Sequence, residues 1–340
     1  MTRDRGGPAA ADPSRRLAPV IRLAPAKLNL TLAVIGRRDD GFHNLHSVFV
    51  PLDLADRLSL ALSGGTMDAL HVAGFDAGPP GENLVLRALA AAREAVGGAW
   101  AGGPGPAPAL AARLEKRIPV AAGLGGGSSD AAAAIDGALE AWGTTLEPDV
   151  RTRLAARIGS DVPFFLAGAP ALVEGRGEQV TPLAGLHGAP GVLLVTPAIR
   201  VSTPDVFAAF DATATHGDGA VRMTSTHLAE ELRANLSTPD LVARAGALTV
   251  ANDLLRATAL LVPALVPFRR ALSRLLVRPI GLSGSGPTLW ALYASGAEAA
   301  EAAECVTAAL RGGQLAAPGA IYPFVTATTI TGGHQHGSQS

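Results

Sequence analysis

The chain has 340 residues, 48% of them hydrophobic, and a formal net charge of −1. That is enough for one large or two ordinary domains with real cores, and the 28 basic residues form no dense run of the kind nucleic acid or an anionic membrane would need. A single cysteine, Cys305, excludes an intramolecular disulfide framework and a multi-cysteine metal site, and its alanine-rich helical setting predicts a core position.

Residues 1–18 are polar, with Arg3, Arg5, Arg15 and Arg16 and no apolar run, and are read as a disordered tail rather than a signal peptide. Val20 to Ile35 predicts one or two strands, with Leu28, Leu30, Leu32 and Val34 on one face and Lys27, Asn29 and Thr31 on the other. A turn cluster follows over residues 36–41. Leu45 to Leu54 and Arg57 to Leu62 predict two more strands, and Leu70 to Val72 a short one. Glu82 to Ala95 has helical spacing, residues 97–108 form a Gly/Ala/Pro loop, and Leu110 to Arg117 is a strand.

That strand feeds Pro119-Val-Ala-Ala-Gly-Leu-Gly-Gly-Gly-Ser-Ser-Asp-Ala131, where glycines run into an alanine-rich helix. Ser128, Ser129 and Asp130 are expected at its N-cap. Glycines let backbone N–H groups converge on an anion, and a helix N-terminus adds free donors and a positive partial charge. The loop lacks the Gly-Lys-Ser/Thr of a Walker loop, and Ser128 stands where the third glycine of G-x-G-x-x-G should be.

Pro148 to Ile158 predicts a helix ended by Gly159, and Pro163 suits the first turn of a short helix after Asp161. Spacing alone leaves Asp161 either as that helix's cap or as a catalytic carboxylate. Ala171 to Glu174 and Val192 to Val195 predict strands separated by turns. Ser202 to Phe210 predicts a helix, and residues 212–219 a polar loop. Helical segments are expected within residues 239–247, 252–261 and 264–276, strands at 279–283 and 288–293, a helix at 297–310 and a last strand at 320–330. Residues 332–340, with His334 and His336, are read as a second loose tail. No stretch approaches about 20 apolar residues, so no membrane helix is expected and the cytoplasm is the default location. The mixed order suggests an α+β class with two domains.

Four ordered segments resemble the GHMP kinases: residues 119–131; Ala24-Pro-Ala-Lys-Leu-Asn-Leu30 with Gly36-Arg-Arg-Asp-Asp-Gly-Phe-His-Asn-Leu45; Ile158-Gly-Ser-Asp-Val-Pro-Phe-Phe165; and Leu282-Ser-Gly-Ser-Gly-Pro-Thr288. With Asn252-Asp253-Leu254, the match spans residues 21–293. The resemblance implies an α+β two-domain GHMP kinase fold. Residues 19–180 would form an ATP-binding and catalytic domain like ribosomal protein S5 domain 2. Residues 181–331 would form a ferredoxin-like substrate-binding domain, with the final strand able to return to the first domain.

It further implies a branch that phosphorylates the 2-hydroxyl of a cytidine diphosphate-linked methylerythritol with ATP and Mg²⁺, on the non-mevalonate route to isoprenoid precursors. Asp161 and Lys27 are the expected catalytic pair. Pro119, Gly123, Leu124, Gly125, Gly126, Gly127, Ser128 and Ser129 should hold the triphosphate, with Lys116, Asn83 and Leu84 nearer the nucleoside. Asn29 is expected to reach the substrate, while Phe42 and Phe207 would sandwich the pyrimidine and His43 would bond its edge. Ser128, Ser129 and Asp130 all stay open as magnesium ligands, and Gly284, Ser285 and Gly286 either face the phosphates or substrate from the second domain or form a plain hairpin. Two departures bear on binding: Phe42 replaces a usual tyrosine, and Ser285 and Pro287 replace a threonine and a small residue. Alternatives are another GHMP kinase with a mevalonate-type or homoserine substrate, and a nucleotide-binding regulatory protein without turnover.

Overall fold

The computed structural model describes residues 18–332 apart from 99, 104 and 214–218, so both expected tails lie outside the described residues apart from residues 18 and 332. The strands of the first sheet are β1 (Val20–Asn29), β2 (Ala33–Arg37), β3 (His43–Leu62), β4 (Ala69–Gly74), β5 (Leu110–Lys116), β6 (Ala171–Gly175) and β7 (Gln179–Pro182). They run in the order β4-β5-β3-β6-β7, with β1 and β2 also paired to β3. The helices α1 (Leu84–Val96), α2 (Gly126–Ala141), α3 (Pro148–Ile158) and α4 (Val162–Ala167) accompany this sheet. The core formed around α2 includes Leu58, Leu60, Leu89, Ile135 and Trp142.

After the short strand β8 (Leu186–His187) comes β9 (Gly191–Thr196), then α5 (Thr203–Thr213), α6 (Ala220–Arg233) and β10 (Leu236–Ser237), which pairs with β8. The helices α7 (Thr238–Ala243), α8 (Ala245–Leu248), α9 (Leu255–Leu261) and α10 (Leu265–Leu276) lead to β11 (Gly281–Leu282), β12 (Leu289–Tyr293), α11 (Gly296–Arg311) and β13 (Phe324–Thr329). The second sheet has the order β11-β12-β9-β13. Alternation along β9 explains the layering. Val192 and Leu194 share a core with Leu28, Leu30, Val50 and Leu52 of the first sheet, while Leu193 and Val195 share one with α10 and α11.

Several expectations change. Residues 43–62 form one continuous strand, because Ala55 and Asp56 stay in register with Pro25 and Ala24 where a break was expected. Residues 220–233 form a helix that the sequence reading left unassigned, and 239–247 falls into two short helices. The segment after β6, expected as turns, contains β7 and β8. β13 pairs with β9 in the second sheet, and its end also meets β3 of the first: Ile330 bridges to Leu52, Thr328 Oγ1 accepts from Leu54 N and Thr331 N donates to the Pro51 carbonyl. Cys305 is exposed on α11, since its helix buries Ala302, Val306 and Ala309 instead. Among the described residues no helix is long and apolar enough to cross a membrane.

Candidate active site

The glycine loop and the first strand are built against each other. The β1–β3 register shifts between Pro25 and Lys27, which takes the Lys27 N–H out of the ladder; it donates instead to the Leu124 carbonyl at 2.9 Å. Gly125 has φ +70°, and a Cβ there would stand 2.9 Å from Lys27 Cγ and 2.8 Å from the Phe165 ring. Gly123, at φ +77°, leaves no room for a Cβ beside the Ser283 carbonyl. Both positions therefore require glycine on conformational and steric grounds.

Helix α2 begins at Gly126, with Gly125 as an N-cap that makes no side-chain bond. The expected capping by Ser128, Ser129 or Asp130 is thus corrected, because these residues lie inside the first turns. The first backbone bond of the helix runs from Ser129 N to Gly125 O, so the amides of Gly126, Gly127 and Ser128 precede the ladder and present free donors. This is an anion cradle made of backbone, reinforced by the helix dipole.

A cleft of about 400 Å³ opens above it. Its walls include Lys27, Asn29, Asn83, Leu84, Lys116, Pro119, Gly123, Gly125, Gly126, Gly127, Ser128, Asp130, Asp161, Gly284 and Ser285. Two expected phosphate residues are placed elsewhere. Leu124 turns its side chain into the core, and Ser129 is buried with no hydrogen-bond partner for its Oγ among the described residues. Asn83 caps α1 by accepting from Val85 N at 2.9 Å while its residue lines the cleft.

Lys116 is not a free cation near a nucleoside. Its ammonium is buried between Asp56 and Asp130, 2.7 Å from the latter. Asp56 is fully buried on β3 and also accepts from the backbone N–H groups of Arg117 and Ile118, so it anchors the strand that enters the loop. Burial pushes the Asp130 carboxyl up to about 7 against the pull of Lys116.

Asp161 occupies the N-cap position of α4 but makes no capping hydrogen bond with its side chain. Its Oδ2 lies 3.6 Å from Lys27 Nζ, an ion pair longer than a hydrogen bond. Lys27 is almost fully buried, donates to Asn29 Oδ1 and sits 4.5 Å above the Phe49 ring. Burial lowers its pKa from the ordinary lysine value, with Asp161 opposing that shift. The loop 284–286 is both a turn between two strands and a wall of this site. Asn252 donates to the carbonyls of Leu282 and Gly284, and Ser283 Oγ donates to the Gly123 carbonyl.

A second hollow of about 400 Å³ is lined by Phe42, His43, Arg176, Thr203, Phe207 and Asp211. Leu45, Asp161, Thr203 and Phe207 line both hollows, so Asp161 stands where they meet. His43 stacks on Phe207 with ring centroids 4.7 Å apart, and the Arg176 guanidinium lies 5.3 Å from the Phe42 ring. Each phenylalanine therefore has one face already covered within the protein. His43 Nε2 meets Asp211 Oδ1 at 2.7 Å, and Arg37 approaches the other Asp211 oxygen at 3.6 Å. Asp40 shapes the preceding turn by accepting from Phe42 N.

The sequence reading missed Asp56, Phe49, Arg176, Thr203 and Asp211 as members of the site. Asp56 carried one signal, an acidic residue inside an apolar strand pattern; the others had none that spacing could reveal.

A GHMP kinases N terminal domain model matches residues 83–169. A 4-diphosphocytidyl-2-C-methyl-D-erythritol kinase of Paramagnetospirillum magneticum is 38% identical over 292 residues, covering 84% of this chain and 93% of that one. The chain belongs to the 4-diphosphocytidyl-2-C-methyl-D-erythritol kinase family. A namesake from Pelotomaculum thermopropionicum is 46% identical over a shorter match, 56% of this chain and 63% of the relative. A crystal structure of 4-(cytidine 5'-diphospho)-2C-methyl-D-erythritol kinase superposes with TM-score 0.66 at 33% identity, covering 92% of this chain and 100% of that one. Homoserine kinase from Cytophaga hutchinsonii superposes with TM-score 0.65 at 16% identity, which speaks for the shared fold alone. Membership in the 4-diphosphocytidyl-2-C-methyl-D-erythritol kinase family makes this chain a small-molecule kinase with the mixed α/β GHMP kinase fold.

Proposed function

We propose that this enzyme transfers the γ-phosphoryl group of ATP to the 2-hydroxyl of 4-diphosphocytidyl-2-C-methyl-D-erythritol, on the non-mevalonate route to isoprenoid precursors. The observation that carries this reading is the position of Asp161 between a backbone anion cradle and a hollow lined by aromatic rings. ATP phosphates occupy the cradle, and the cytidine end of the acceptor occupies the hollow beside Phe42, His43 and Phe207.

Asp161 orients the hydroxyl and takes its proton as the new O–P bond forms and the bond to the ADP oxygen breaks. A loose transition state makes late deprotonation by a carboxylate sufficient. Lys27, paired with Asp161 at 3.6 Å, faces the charge that gathers on the transferring group. Asn29, expected to reach the substrate, spends its carbonyl oxygen on Lys27 and acts chiefly through it.

The residues also fit a magnesium ion. Ser128 and Asp130 line the cleft, and Asp130 Oδ1 is buried without a partner among the described residues. Magnesium commonly takes most of its ligands from substrate phosphate and water oxygens and few from side chains. Bound there, magnesium would neutralise phosphate charge.

In this reading residues 19–180 form a unit like ribosomal protein S5 domain 2. Residues 181–331 form a ferredoxin-like unit that supplies Phe207 and residues 284–286, and the donor is cytoplasmic ATP. A coupled ADP-release assay with ATP, magnesium and the acceptor tests the proposal, with wild type beside Asp161→Asn. Turnover in wild type that falls about 10²–10⁴-fold in the mutant, with ATP still bound, is expected. ATP binding without turnover on this acceptor in wild type would overturn it.

A further inference from the structure

A chain of buried hydrogen bonds leads from Lys27 through Asn29 to residues that have no part in the chemistry described for Lys27, Asn29 and Asp161. Lys27 Nζ donates to Asn29 Oδ1, and Asn29 Nδ2 donates to Ser47 Oγ at 3.2 Å. Ser47, fully buried on β3, donates its own hydrogen to the Thr31 carbonyl. That carbonyl falls in the break between β1 and β2. Thr31 Oγ1 accepts from Val48 N at 3.0 Å and donates to Ser225 Oγ on α6 at 2.8 Å; that oxygen also meets His46 Nδ1 at 3.0 Å.

The direction of these bonds matters. The two ends of an asparagine amide are nearly equal in shape but opposite in hydrogen bonding. With the amide reversed, its NH₂ would face the Lys27 ammonium, donor against donor. Ser47 has one hydrogen, and Thr31 takes it, so the Ser47 oxygen towards Asn29 can only accept. The Asn29 NH₂ must then point at Ser47 and its oxygen at Lys27. One ammonium hydrogen is thereby fixed on Asn29, while Phe49 beneath and Asp161 at 3.6 Å complete the surroundings named so far. A buried network satisfied at every member holds a single arrangement, whereas a partly satisfied one does not.

We propose that Ser47 is a positioning residue for phosphoryl transfer, fixing the Asn29 amide so that the Lys27 ammonium is held toward Asp161. This rests on the assignment of Lys27 and Asp161 to the reacting groups. Ser47 touches neither ATP nor acceptor, as it lines neither hollow. Its influence must therefore pass through Asn29.

The test is a double-mutant cycle of Ser47→Ala and Asn29→Ala in the full chain, assayed with ATP, magnesium and acceptor. Ser47→Ala should lower kcat about tenfold, the scale of one hydrogen bond to a charged group, with KM for ATP changed by less than about twofold. The alkaline limb of kcat/KM should move to lower pH, since an amide free to reverse no longer favours the charged lysine. In the Asn29→Ala background, Ser47→Ala should cost nothing further. Equal losses in both backgrounds, or an unchanged kcat and pH limb in folded Ser47→Ala, would overturn the inference. If Ser47→Ala fails to fold by circular dichroism, Ser47→Cys, similar in size with a weak S–H donor, is read by the same three measurements. Full turnover in Lys27→Ala and Asp161→Asn would instead remove the site assignment. Inactive Lys27 and Asp161 mutants with an additive cycle would sink only the role of Ser47.

Discussion

The Lys27 ammonium lies 3.6 Å from the Asp161 carboxylate, with 5% of the lysine side chain and 31% of the aspartate side chain exposed. The cation is dry and the carboxylate reaches the cleft. The two come from segments over 130 positions apart and meet because the loop 123–125 holds both β1 and α4 in contact. Gly125 lies against both, since a Cβ there would stand 2.9 Å from Lys27 Cγ and 2.8 Å from the Phe165 ring.

The burial of Lys27 predicts an early alkaline limb. Its pKa is lowered from 10.5 by desolvation, and Asp161 is the charged side chain facing it. As pH rises through the lowered value the ammonium becomes neutral, so kcat/KM should fall at a pH below the ordinary lysine range. Lys27→Arg, which keeps its charge throughout, should lose that limb while turning over more slowly. A flat wild-type profile up to about pH 10 would contradict the assignment.

Gly125→Ala should harm both ATP use and stability. A methyl group at φ +70° is strained, and it would collide with Lys27 Cγ and the Phe165 ring. A loss of about 1–3 kcal/mol by urea unfolding is expected, together with a KM for ATP raised about tenfold. Wild-type values for both would show that the loop does not require this geometry.

The buried cluster of Asp56, Lys116 and Asp130 gives stability an acid preference. The folded Asp130 carboxyl sits at about 7 and an unfolded one near 3.8, so the folded state binds more protons between those values. Its contribution is complete below the unfolded value and is lost as pH rises through the folded one. Unfolding free energy should therefore drop between about pH 5 and about pH 8, and Asp130→Asn should flatten that slope. The same slope in the mutant would assign it to other groups.

Asp211 should matter for the acceptor and not for ATP. It holds His43 Nε2 at 2.7 Å, and His43 stacks on Phe207 in the hollow away from the glycine loop. Asp211→Asn keeps the shape but weakens the charge that orients the ring. KM for the acceptor should rise about tenfold while KM for ATP stays constant in steady-state assays. Equal changes in both would point to a general disturbance of the fold.

Much of this was legible from local pattern. The run of residues 119–131 announced an anion cradle because glycine backbone and helix start are properties of neighbouring residues. Alternation placed Lys27, Asn29 and Thr31 on one face, and all three are buried together in one polar network. Capping was misread because Ser128 to Asp130 are good N-cap types, yet Gly125 with φ +70° starts the helix earlier to clear Lys27 and Phe165. Helix α6 went unassigned although its inward residues, Ser225, Leu228, Ala229 and Leu232, do recur at helical spacing. Only Leu228 and Leu232 stand out as apolar anchors among them. Serine reads as a surface residue until Thr31 and His46 are seen to bond it.

The sequence by itself determined the cradle, the order of most strands and helices, and the resemblance that named candidate roles for Lys27 and Asp161. Those depend on backbone propensity and spacing over a few residues. Only the tertiary structure decided that the Asp161 side chain leaves its own helix uncapped, that Lys116 is locked between Asp56 and Asp130, and that the Asn29 amide donates to Ser47. Burial and hydrogen-bond direction are set by partners distant in the chain, and no local pattern records which partner a buried polar group will find.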